Sequence, residues 1–242
     1  ILTSQGEARG IELSDGTRHQ ADIVISNVDA YLLYGSMLPE LKETKTARAS
    51  LKRATPSLSG FSLQIGLRGK SNLSHHSVFF PEDYEDEFEA IFTRNQPVPD
   101  PAIYICNAPG MTSNPDDESW FVLINAPRHD ENFNWDRPGL KEEYAERIID
   151  LMEKRGLEVR SRLVELKIRT PADLERDVAA PGGSIYGTSS NGARSAFLRA
   201  KNRSPIKNLY CVGGSAHPGG GLPLVAISAE IVATAIAGSE AE

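Results

Sequence analysis

An apolar run, Leu209-Tyr210-Cys211-Val212, passes into five glycines within the nine residues from Gly213 to Gly221, and then into a small-residue stretch opened by Pro223. A strand, a glycine-rich turn and a helix in that order form the local grammar of a nucleotide-binding fold. Glycine lets backbone N–H groups approach a ligand with no side chain in the way. Proline is favoured in a first helical turn, so the helix after Pro223 points its positive end at the glycines. Ala226, Ser228, Ala229, Ala233 and Ala235 let that helix pack closely. An anion or a polarised carbonyl is the guest that such a turn favours. The competing reading is a flexible turn with no ligand.

The rest of the chain supplies a context for that turn. Gly10 to Thr17 alternates apolar and polar residues and ends on Asp15-Gly16, a pair that tolerates the positive φ of a tight hairpin. Ala21 to Asn27 holds a continuous β-branched run, which reads as a strand buried on both faces. Tyr31 to Arg53 reads as helical and connecting, broken at Pro39. From Ser59 the character turns to β, with strands expected over Gly60–Leu67, Ser77–Phe80, Ala102–Asn107, Trp120–Asn125 and Arg162–Ile168. Pro-, Asn- and Asp-rich loops bound them. Helices are expected over Tyr84–Phe92 and over Leu140–Arg155, where Leu140, Tyr144, Ile148 and Leu151 recur at helical spacing. The fold class that follows is α/β plus α+β. Residues 1–30 and 170–242 belong to a Rossmann-like nucleotide-binding domain that begins before Ile1, and residues 31–169 form an inserted substrate domain on a mostly antiparallel sheet.

Composition narrows the function. With 40% hydrophobic and 24% charged residues in 242, the chain is an ordinary globular one. A net charge of −7 with no Lys- or Arg-dense stretch argues against nucleic acid. Cys106 and Cys211 each sit in an apolar run, where small buried thiols are common, and a reduced, cytoplasmic protein is expected. The adjacent His75 and His76 have no cysteine or carboxylate at zinc-ligand spacing, so no metal is assigned. The apolar stretch Leu222–Gly238 is interrupted by Glu230 and falls short of the roughly 20 residues of a membrane span, which leaves peripheral membrane contact open.

The segment Gly213-Gly214-Ser215-Ala216-His217-Pro218-Gly219-Gly220-Gly221-Leu222-Pro223 resembles the C-terminal flavin-binding signature of the carotenoid desaturase family, of the bacterial phytoene desaturase type. Arg169 to Glu175 and Pro181 to Gly187 are similar to two further signatures of that family in the same order, and Ala21 to Asp29 to its strand re-entering the FAD domain. The resemblance implies an FAD-dependent oxidoreductase taking hydride from a long apolar substrate. Gly213, Gly214 and Ser215 would then face the pyrophosphate and ribityl portion, Gly220, Gly221, Leu222 and Pro223 the flavin ring, and Gly219 would also bind the cofactor. A helix N-terminus there stabilises the negative charge that hydride brings to the N1 and C2 carbonyl edge. Related enzymes often carry an acid where this chain has Ser215. No GxGxxG follows a strand, so the pyrophosphate-cradling segment is missing, and the fragment alone is expected to be inactive.

Several residues have two readings. His217 could tune the ring or shuttle a proton, or be a turn histidine bonded to backbone. Tyr186 and Phe197 could pave an apolar substrate tunnel or pack in a core. Asp173 and Glu175 could be a proton-removing pair, although an Asp after Thr170-Pro171 is more often a helix N-terminal residue. No catalytic acid or base is assigned. The competing function is a redox-inactive structural or binding module that completes a partner.

Overall fold

The computed structural model describes residues 1–108, 110–189 and 199–239. It divides into two compact units, one of Ile1–Ser57 with Val178–Glu242 and the other of Leu58–Asp177. The sequence placed these divisions at 30/31 and 169/170. In the structure, the helical segment that follows residue 30 packs its Leu33, Tyr34 and Leu51 with the first strands and with Leu209 and Cys211.

In the first unit, strands β1 (Leu2–Ser4), β2 (Glu7–Glu12) and β3 (Arg18–Gln20) form an antiparallel sheet in that order. The turn between β2 and β3 works as its composition implies: Gly16 takes φ +85°, and the Asp15 carboxylate accepts a 2.8 Å hydrogen bond from the Thr17 amide. Strand β4 (Val24–Ser26) leads into a single turn of helix α1 (Ala30–Leu32) and then to α2 (Lys45–Arg53). Some 180 residues later, β10 (Leu209–Cys211) lies parallel to β4, with Leu209 opposite Val24 and Cys211 opposite Ser26. The chain therefore leaves this layer after β4 and returns to it at β10. The unit ends in α6 (Leu222–Ser239).

Strand β4 departs from expectation in one respect. Val24 and Ser26 are buried, but Ile25 between them is 54% exposed. A strand is buried on both faces only where layers cover both sides of its sheet, and here the β4–β10 sheet has two strands. Helix α6 shows the same trait. Ser228 and Val232 are buried, while Leu222, Leu224, Ile227 and Ile231 are exposed.

The second unit is a five-stranded antiparallel sheet in the order β6-β7-β8-β5-β9, built from β5 (Ser59–Leu67), β6 (His76–Phe79), β7 (Ile103–Asn107), β8 (Glu118–Ala126) and β9 (Leu163–Arg169). Phe61, Leu63, Ile65, Ile103, Ile105, Trp120, Val122 and Ile124 share one buried cluster with residues of α4 (Leu140–Lys154). Leu140, Tyr144 and Ile148 of α4 are in it, as their spacing requires; Leu151 is only partly buried, and Ala145, Ile149 and Met152 complete the face. The Phe61 ring meets Tyr144 edge-on at 4.9 Å and Trp135 at 5.5 Å, contacts worth about 0.5–1.5 kcal/mol each beyond burial. Before α4, α3 (Glu85–Phe88) continues into a wider π-helical segment, Glu89–Arg94. Buried Glu87 there accepts hydrogen bonds from the Ala102 amide and the Asn125 side chain.

Helix α5 (Pro171–Val178) settles the two readings of Asp173. Its carboxylate accepts from the Thr170 amide at 2.9 Å, while the Thr170 hydroxyl accepts from the Asp173 amide at 3.2 Å. This reciprocal pair is a capping box, and it occupies the side chain at a helix start. Cys106 also differs from its expected burial. It is only half-buried, because alternation along β7 sends Ile103 and Ile105 to the core and Cys106 to the opposite face.

Candidate functional site

Three separated stretches meet in the first unit: Asn27–Asp29 after β4, the loop Gly182–Gly187, and the glycine turn after β10. Their closeness is visible in what a side chain would strike. A Cβ on Gly187 would stand 2.6 Å from Ser215 Cβ and 3.5 Å from an Asp29 carboxylate oxygen, and Gly187 already has φ +67°. Gly213, at φ +99°, would place its Cβ 3.7 Å from the Asn27 carbonyl oxygen, and Gly214 would place one 3.5 Å from Gly220 Cα. On Gly220 the Cβ would fall 2.0 Å from Cδ1 of the Tyr186 ring. Gly187 and Gly213 are thus needed for backbone conformation, and Gly187 and Gly220 for close approach.

Polar side chains fix the assembly. The Ser215 hydroxyl accepts a 3.0 Å bond from the Ala30 amide, so it ties the turn to the start of α1. Buried Arg199 donates to the carbonyls of Tyr186 at 2.9 Å and Gly214 at 3.0 Å, joining two of the three stretches. Burial pulls its pKa below the ordinary arginine value. The Asn202 amide nitrogen stands within 3.0 Å of the carbonyls of Cys211 and His217 and of the Ser228 hydroxyl. Ser228 Oγ in turn accepts from the Gly213 amide at 3.3 Å. Burial also raises the Asp29 carboxyl above its ordinary pKa, opposed by one bond from the Tyr31 amide.

The open side of the turn is made of backbone. Among the described residues, no acceptor engages the amides of Gly219, Gly220, Gly221, Leu222 or Leu224; Val225 is the first helical amide to bond back, at 2.9 Å to the Gly221 carbonyl. Gly221, Leu222 and Pro223 are exposed, and nothing lies within 4 Å of a Cβ built on Gly221. Helix starts carry about half a positive charge from such unsatisfied donors. The arrangement is able to hold an electron-rich planar edge or an anion.

The residues singled out from sequence fall in different surroundings. Gly213, Gly214, Ser215, Gly219, Gly220, Gly221, Leu222 and Pro223 are contiguous around this turn, but Ser215 spends its hydroxyl internally. Tyr186 is 41% exposed with its ring over Gly220, so it is not a core residue. His217 is exposed, its amide donating to the Ala200 carbonyl and its carbonyl accepting from Asn202. Phe197 lies outside the described residues. Arg199, Asn202 and Asp29 escaped sequence reading, because no motif marks a lone Arg or Asn that bonds to carbonyls distant in the chain. A cavity of about 520 Å³ in this unit is lined by Tyr34, Ser50, Leu51, Arg203 and Pro205 rather than by the glycines. Two cavities of the sheet unit, about 380 and 440 Å³, are lined largely by polar residues such as Gln64, Asn114, Lys167, Lys70 and Arg162. No helix among the described residues is long and apolar enough to cross a membrane.

No family model matches the chain. It is 36% identical over 252 aligned residues to 1-hydroxycarotenoid 3,4-desaturase of Flavobacterium sp. (strain P99-3), an alignment that covers 100% of this chain and 49% of the relative. It is 31% identical to 4,4'-diapolycopene oxygenase of Methylomonas sp., over 96% of this chain and 47% of that protein. The chain therefore spans about half the length of the curated relatives it matches. Among solved structures, an oxidoreductase from Methanosarcina mazei matches 97% of the chain and 47% of its own length with a TM-score of 0.58 at 16% identity, which shows a shared fold. Along its whole length the chain is thus similar to carotenoid desaturases and oxygenases, matching about half of each.

Proposed function

We propose that the intact protein is an FAD-dependent oxidoreductase that removes hydride from an apolar, carotenoid-like substrate, and that this chain supplies the flavin-ring half of the cofactor site. The observation that carries this reading is that no acceptor among the described residues engages the amides of Gly219, Gly220, Gly221, Leu222 and Leu224, which are set on glycines and continue into a helix start. The residues fit a flavin because the amides are open and Gly221 leaves space where a Cβ would stand. When bound, flavin supplies the hydride acceptor.

The chain's own groups do the rest. The amides of Gly220, Gly221 and Leu222, with the N-terminus of α6, stabilise negative charge at a developing anionic edge. The Tyr186 ring, against Gly220, offers an apolar wall beside that edge. Arg199, Asn202 and Ser228 hold the turn in place, and preorganised donors of this kind need no rearrangement when charge develops. The parallel β4–β10 pair supports a Rossmann-like layer completed by the half of the protein outside this chain. Exposed Ile25 and the apolar side of α6 are the surfaces for that half to cover. The relatives' names, a hydroxycarotenoid desaturase and a diapolycopene oxygenase, favour a polyene and leave desaturation and oxygenation as the two reaction classes.

A visible absorption spectrum of the purified intact protein tests the proposal. A yellow preparation that releases FAD on denaturation, and bleaches when a carotenoid substrate is added without oxygen, supports it. A colourless preparation that also rejects added FAD points to the competing module that completes a partner.

A further inference from the structure

Strand pairing in the sheet unit brings together side chains that sequence spacing keeps apart. Edge strand β6 pairs antiparallel with β7 so that His76 lies directly opposite Cys106, thirty residues on. His75 stacks on His76 with ring centroids 4.2 Å apart, and ligand-type atoms of His75, His76 and Cys106 all lie within 4.8 Å of one another. The hydroxyl of Tyr104 sits 2.7 Å from His76 Nδ1. Both histidines are exposed and Cys106 is half-buried, so a solvated ion can reach all three.

We propose that His75, His76 and Cys106 form a binding site for a divalent transition-metal ion of the zinc class, with one coordination position left open. Two imidazoles and a thiolate are the donor set such an ion prefers over calcium or magnesium. In a tetrahedral centre with bonds of about 2.0–2.3 Å, neighbouring ligand atoms stand roughly 3.3–3.7 Å apart. The cluster must therefore contract by up to about 1.1–1.5 Å, within reach of rotamer adjustment by two exposed rings. The Tyr104 hydroxyl at His76 Nδ1 leaves Nε2 for the metal and orients the ring, as outer-shell partners of ligating histidines commonly do. The ligand thiol must lose its proton, so binding strengthens as pH rises.

The reading that assigned no metal rested on distance along the chain, which antiparallel pairing makes irrelevant. Of the two cysteines, Cys211 is buried and burial pushes its thiol up to about 11, so it does not compete as a ligand. The site belongs to the sheet unit and does not depend on the flavin proposal.

Titration of the intact protein with Co²⁺, followed by difference absorption spectra, tests the assignment, since a steady flavin spectrum subtracts out. The expected result is a thiolate-to-cobalt charge-transfer band that saturates at one equivalent and is displaced by Zn²⁺. Cys106→Ser should abolish the band, His75→Ala or His76→Ala should weaken affinity at least tenfold, and Tyr104→Phe should weaken it about tenfold. Because His75 and His76 are exposed at the edge strand and Tyr104 and Cys106 are only partly buried on its neighbour, unchanged circular dichroism melts are expected to accompany the losses. No band in the parent protein, a band that survives Cys106→Ser, or histidine variants that bind as tightly as the parent would each overturn the site.

Discussion

Gly220 gives the sharpest test of how the glycine turn works. Replacing it by valine places a Cβ 2.0 Å from the Tyr186 ring, where ordinary contacts begin near 3.4 Å. The ring must retreat by at least about 1.4 Å, and overpacking of that kind costs about 1–3 kcal/mol. If the distortion falls on the cofactor-bound state, FAD affinity drops about 5- to 140-fold, at 1.4 kcal/mol per factor of ten. The assay is FAD content after gel filtration, with titration of the stripped protein by flavin fluorescence. Tyr186→Ala provides the internal control, because it removes the ring that the new side chain strikes. The account expects Gly220→Val to remain defective in that background, since β-branched bulk also keeps the turn's amides from the ligand. Full FAD content in Gly220→Val, or complete recovery in the double variant, would show that the glycine serves only ring packing and refute the placement of the flavin.

Three further outcomes follow from the same geometry. Gly187→Ala combines a left-handed backbone, φ +67°, with a contact 2.8 Å from Ser215 Cα, and should lower stability by about 2–4 kcal/mol in urea titration; a change below 0.5 kcal/mol would contradict the close packing of these loops. Asn202→Ala strips hydrogen bonds from the buried Cys211 carbonyl and Ser228 hydroxyl, with an expected loss of about 2–4 kcal/mol and weaker FAD retention, and a variant as stable as the parent would remove Asn202 from the scaffold. Glu118, buried on β8, is pushed up by burial, but bonds from Arg162, Ser71 and Asn107 outweigh this and hold its pKa below 4.5. A depressed carboxyl contributes stability that is full above its unfolded value and is lost as pH falls through the folded one. Glu118→Gln should therefore cost about 3 kcal/mol at pH 7, with the gap to the parent narrowing as pH falls below 4.5. A gap that is constant across that range would mean the carboxylate charge is not what Arg162 needs.

The sheet unit was legible because its signals are local. Alternation in Gly60–Leu67 and Trp120–Asn125 survives between loops that proline forbids from joining the sheet, and all five expected strands form. Helix α4 and the Asp15-Gly16 turn were legible for the same reason. What escaped depends on contacts distant in the chain. A continuous β-branched run cannot say whether layers lie on both sides of it, and Ile25 is exposed. The pairing that sets Cys106 beside His76 is decided by strand order, which alternation does not encode. Arg199 and Asn202 act on carbonyls, and carbonyls leave no trace in residue type. At the glycine turn, the helix start was readable from Gly213 to Pro223. That the Ser215 hydroxyl is engaged by the Ala30 amide was not, because the two residues lie 185 apart.

An experimental structure of the intact protein with FAD bound is the most direct test of the central claim. Density for the isoalloxazine edge within hydrogen-bond distance of the Gly220, Gly221 or Leu222 amides, with the ring of Tyr186 alongside, is the expected result. A flavin seated elsewhere, with those amides facing water or another protein segment, would contradict it.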